Sequence, residues 1–73
     1  MLHRRMSPAA LKTVLETLGW TIRGLARFLN RPEGTVGNWT RTGYSVPPEV
    51  AEWLRRRVDA HEAMLRDDPP PRT

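Results

Sequence analysis

Residues 21–43, TIRGLARFLNRPEGTVGNWTRTG, hold two short helical patterns on either side of a sharp turn. In the first, Ile22, Leu25, Ala26 and Leu29 recur at helical spacing. Thr21 stands just ahead of them, where a hydroxyl can cap a helix. Asn30 follows. Asparagine enters the left-handed conformation more easily than other non-glycine residues, so it can end a helix. In the second pattern, Val36 and Trp39 stand three apart on one face. At about 100° per residue, the opposite face holds Gly34, Gly37, Asn38 and Arg41. That small, polar, basic surface is what a helix needs to enter a DNA major groove. The spacing predicts helices over about 22–29 and 32–41.

These residues resemble the helix-turn-helix of the lambda-repressor/Cro/XRE class of DNA-binding proteins. The positions that carry the resemblance are Thr21, Leu25, Ala26, Leu29, Thr35, Val36, Trp39 and Gly43. Each has a physical task. Ala26 is small enough to let two helices approach, and Val36 and Trp39 plug the second helix into a core. The likeness extends more loosely over residues 7–65. It implies an all-α fold: a compact four-helix lambda-repressor-like domain with an elongated C-terminal helix. Two departures stand out. The turn reads Asn30-Arg31-Pro32 where the class carries Gly, an aliphatic residue and Ser or Thr. Pro32 replaces the capping hydroxyl, and its fixed φ suits a first helical turn. Gly34 and Gly37 lie inside the recognition helix, each costing about 1 kcal/mol against Ala. They are either drift or a means of bringing backbone close to the bases, and both readings leave few side chains there to read sequence.

The base-contacting positions implied by the resemblance are Glu33, Gly34 and Asn38. Asn38 is the strongest by its own chemistry, because an amide can bond an adenine edge at two points. Arg41, one turn on, can reach a guanine or a phosphate. Glu33 can accept from a cytosine amino group or favour the positive helix end. Phosphate contacts are expected from Thr21, Arg23, Arg27, Arg31, Thr35, Tyr44 and Ser45. Arg23 and Arg27 stand four apart on the outward face of their helix. Arg4 and Arg5 are candidates for a minor-groove arm or are simply a mobile end.

Working outward, residues 1–6 form a basic lead without periodicity, expected to be flexible. Ser7-Pro8 reads as a helix start. That helix runs to about Leu18, with Leu11, Val14, Leu15 and Leu18 as its buried stripe, Gly19 ending it and Trp20 anchoring the joint. Pro47-Pro48-Glu49 opens a fourth, long helix. Val50, Leu54, Val58, His61 and Leu65 form one stripe on it, and Trp53, Ala60 and Met64 a second. The domain is therefore placed at residues 7–66. Beyond about Arg57 one copy has little to pack against. Trp53, Val58, His61, Met64 and Leu65 are thus expected at a homodimer interface. Residues 67–73, acidic and proline-rich, read as a disordered tail.

Seventy-three residues make one domain with a modest core. The absence of cysteine excludes a disulfide or thiolate-zinc staple, which leaves pairing with a second copy. Residues 1–57 hold ten basic and four acidic side chains, a balance of +6, and residues 58–73 hold two basic and four acidic, a balance of −2. The basic part coincides with the helical pair, as expected of a face that meets phosphates. Eleven of the twelve basic residues are Arg, which suits phosphate and guanine but also follows from a GC-rich genome. No membrane span or signal peptide is legible, so a cytoplasmic protein is expected.

His3 and His61 have no nucleophile or paired carboxylate at useful spacing. No enzyme activity, metal, cofactor or small-molecule ligand is expected. The expected partner is double-stranded DNA bearing an inverted repeat, bound by a homodimer that represses by occlusion. A short, Arg-rich helix-turn-helix followed by a lone helix is similar to regulators of phages and mobile elements. Among them it resembles the anti-CRISPR-associated repressors, which implies autoregulation of a small operon. The rival readings are an antitoxin of a toxin–antitoxin pair and a helix-turn-helix used for protein interaction without DNA affinity.

Overall fold

The computed structural model describes residues 5–72. Its helices are α1, Pro8–Leu18, α2, Ile22–Leu29, α3, Glu33–Asn38, and α4, Pro48–Asp67. No strand occurs among the described residues. No helix among them is long and apolar enough to cross a membrane.

Each helix boundary has a local cause. Ser7 caps α1 by accepting the Ala10 N–H at 3.1 Å, and Pro8 follows at the first helical position. Gly19 ends α1 in the left-handed region at φ 72°. Thr21 caps α2 in the same way, accepting the Gly24 N–H at 3.0 Å. Asn30 closes α2 at φ 52° and ψ 47°, the left-handed stop expected of it. Pro47 and Pro48 open α4, with the Val50 and Ala51 N–H groups both bonded to the Pro47 carbonyl.

The third helix differs from the expected 32–41. It ends at Asn38, and the Trp39, Thr40 and Arg41 N–H groups bond three residues back, to Val36, Gly37 and Asn38. The chain tightens there into 3₁₀-type turns. Two glycines in six residues and the absence of a side-chain cap at Pro32 give the α form little support. The Thr40 hydroxyl donates back to the Gly37 carbonyl at 2.7 Å, holding the tightened turn.

α2 packs on α3, and α1 on α4. Every helix feeds one core: Leu11 and Leu15 from α1, Leu25 and Ala26 from α2, Val36 with Trp39 at the end of α3, and Val50, Ala51 and Leu54 from α4. Val46, ahead of α4, is also buried.

Met6 corrects the boundary placed after residue 6. It is buried, and its carbonyl accepts the Val46 N–H at 3.4 Å. Met6 precedes the cap of α1 and Leu11 is that helix's fourth residue, the positions of a hydrophobic staple. Trp20 and Leu25 stand in the same positions about α2. Arg5 is exposed, and Arg4 lies outside the described residues.

Candidate nucleic-acid interface

α3 is positioned by its buried side. Val36 is fully buried and Trp39 nearly so, which fixes the rotation of the short helix about its axis. Glu33, Gly34 and Thr35 are exposed as a result, and Asn38 is half-buried. Gly37 departs from the expected outward face. It is half-buried, and a Cβ added there would meet Ile22 Cγ2 at 4.0 Å, an ordinary contact with α2. A Cβ at Gly34 would meet nothing within 4 Å. The free backbone approach is therefore at Gly34 alone.

Arg41 is exposed but sits beyond the α helix, on the 3₁₀-type turn. The tighter turn carries it off the Gly34–Asn38 line that a regular helix would have continued. Tyr44 and Ser45 are exposed in the loop before α4, where Gly43 takes φ 92°.

Arg23, Arg27 and Arg31 converge on a shallow cleft of about 630 Å³ between α2 and the turn, completed by Ala26, Asn30, Pro32 and Glu33. The sequence places Arg23 and Arg27 together on a helix face. The left-handed stop at Asn30 adds Arg31 to them. Two of these arginines already have partners. Arg23 Nε lies 3.4 Å from Glu33 Oε2, linking the first turns of α2 and α3. Both groups are more than half exposed, so the pair contributes little stability and is readily exchanged for another anion. Arg31 lies 3.8 Å from Glu49 Oε1 and 5.6 Å from the centre of the Trp39 ring. It therefore ties the turn to α4 and to the end of α3, a structural task beside any role with phosphate. Arg27 is exposed beside them.

Thr21, at the start of α2, is exposed and spends its hydroxyl oxygen on the Gly24 N–H. Its hydroxyl proton remains for an outside acceptor. Thr21, Arg23, Arg27, Glu33 and Gly34 belong to the two first turns and the cleft between them. Tyr44 and Ser45 lie in a separate loop.

The residues expected at a homodimer interface divide. Trp53 is half-buried against its own chain, with ring centroids 5.6 Å from Trp20 and 6.2 Å from Phe28. Trp20 and Phe28 are themselves 4.8 Å apart. Val58 and His61 are half-buried, and Met64 and Leu65 are 68% and 43% exposed. Phe28, 64% exposed, is the residue missed by reading the sequence. The available signal is a large aromatic on α2 that lies off both the Leu25–Leu29 line and the Arg23–Arg27 line.

Comparison with known protein families, curated proteins and solved structures gives no match.

Proposed function

We propose that this protein is a sequence-specific DNA-binding repressor of the lambda-repressor-like helix-turn-helix type, acting as a homodimer on an inverted repeat. The observation that carries the proposal is the division of α3. Val36 and Trp39 are buried, while Glu33, Gly34 and Thr35 are exposed beside an arginine-lined cleft. A short helix held by one face and bordered by guanidinium groups suits a major groove flanked by phosphates.

In the proposed complex, Gly34 lets the start of α3 approach the base edges closely. Asn38 reads an adenine through its amide. Arg23 and Arg27 hold phosphate oxygens, Arg23 leaving Glu33 as it does so. Glu33 is then released to accept from a cytosine amino group. Thr21, Thr35, Tyr44 and Ser45 add uncharged contacts to the backbone, and Arg31 adds charge from the turn. Arg41 reaches a neighbouring phosphate or guanine from the 3₁₀-type turn. A dimer covering a promoter blocks polymerase, and control by protein concentration suits autoregulation of a small phage or mobile-element operon. An anti-CRISPR operon is the proposed setting.

Selection of bound duplexes from a random DNA pool tests the reading. The expected product is an inverted repeat with half-site centres about 10–10.5 base pairs apart or a multiple of that. Recovery of unenriched sequence would reject sequence-specific binding.

A further inference from the structure

α3 is the least supported helix of the chain. It has six residues, two of them glycines, no side-chain cap at Pro32, and an end that tightens at once into 3₁₀-type turns. Its hold on the domain is the buried pair Val36 and Trp39. Asn38, the residue best suited to reading a base, is the immediate neighbour of Trp39. The two share one planar peptide unit, so a displacement of the Trp39 backbone is passed to Asn38.

One face of the Trp39 ring is covered by Arg31, whose Cζ lies 5.6 Å from the ring centre. The Arg31 backbone is fixed by the left-handed stop at Asn30, and its N–H donates to the Ala26 carbonyl at 3.0 Å. At the other end of the side chain, Nη2 lies 3.8 Å from Oε1 of Glu49, in the first turn of α4. The side chain is thus held at both ends, with the indole under its guanidinium. Its exposure agrees: 37% for the Arg31 side chain against 70% for that of Arg23. α2 packs on α3 and α1 on α4, and the Arg31–Glu49 pair links one couple to the other. Glu49 is largely exposed, so the ion pair itself adds little stability. Its effect is to keep the cation over the aromatic face, where the ring quadrupole attracts it.

We propose that Arg31 is a positioning residue for α3: held by Glu49, its guanidinium clamps Trp39 and so aims Asn38 at the base edges. This deepens the DNA-binding reading and rests on it. Arg31 still adds positive charge to the cleft. The clamp adds specificity, because it acts through a residue that reads a base and not through a phosphate.

The test is the ratio of affinity for the selected duplex to affinity for random DNA, measured with the full chain and two variants. Glu49→Gln removes a negative charge near the cleft and releases the guanidinium. If Arg31 served phosphate alone, both duplexes would bind more tightly and the ratio would stay the same. The clamp predicts a lower ratio. Arg31→Lys keeps the charge but loses the planar fork, which can lie flat on a ring while meeting a carboxylate at its edge. Its ratio should fall by about two- to fivefold, the worth of a cation–π contact at a partly exposed site. A variant that is merely less stable loses active molecules and lowers both affinities alike, so the ratio does not move. The free protein gives a second readout. In both variants the backbone amide resonances of Asn38 and Trp39 should shift, while those of α1 stay in place. An unchanged ratio in either variant, or amides at Asn38 and Trp39 that do not move, overturns the clamp and leaves DNA binding standing. A wild-type chain without DNA affinity at low salt, or one that binds all duplexes equally, rejects the reading on which the clamp rests.

Discussion

Gly34 and Gly37 are the same residue three positions apart, yet their surroundings differ. Space is open around Gly34, whereas Gly37 faces Ile22 on α2. Gly37→Ala should raise stability by about 0.5–1 kcal/mol, because it lowers backbone entropy in the unfolded chain and meets only an ordinary contact. Thermal denaturation checks this, and a lower melting temperature would contradict it. Gly34→Ala should leave the fold intact but weaken DNA binding, if backbone at that point approaches the bases. Unchanged affinity would make Gly34 incidental. Asn38→Ala should cost roughly 1–3 kcal/mol on the selected site and much less on random DNA. Equal losses on both would remove Asn38 from base reading. Arg27→Ala, by contrast, should weaken all sequences alike, since phosphate carries no sequence message. A changed base preference in that variant would place Arg27 elsewhere.

At the scale of elements, caps and stops were the most legible feature. Ser7, Gly19, Thr21 and Asn30 each have short-range chemistry that acts through neighbouring backbone groups, and each sits where its type predicts. The end of α3 was not legible in the same way. No Gly or Pro stop follows Trp39 until Gly43, while the balance between α and 3₁₀ winding turns on two glycines and the Thr40 hydroxyl. Met6 is not legible as core, because a single apolar residue outside a helix has no periodicity. Its signal was positional, one residue before a serine cap and five before Leu11. Met6→Ala should therefore destabilise the domain by about 2–5 kcal/mol, comparable to other buried truncations. A loss below about 0.5 kcal/mol in chemical denaturation would return Met6 to the lead. For the candidate site, the sequence paired Arg23 with Arg27, but the meeting of Arg23 with Glu33 and of Arg31 with Trp39 and Glu49 depends on how the turn folds back.

Across the whole molecule, charge is segregated along the chain, with +6 carried by residues 1–57 and −2 by residues 58–73. The helices translate that order into space. The α2–α3 pair carries the cleft lined by three arginines, and α4 carries its acidic residues away past the last core residue. The arginine-lined cleft is thereby set apart from the exposed apolar residues Met64 and Leu65. The arginine-lined end is the basis for the proposed function, and its direct measurement is the affinity for duplex DNA as a function of salt. Each neutralised phosphate should contribute about −0.9 to the slope of log affinity against log salt concentration. The expected result is measurable binding at low salt with a steep negative slope, reduced by about one phosphate per DNA-binding domain in Arg27→Ala. No affinity at low salt, or affinity that does not change as salt rises, would contradict binding through this face.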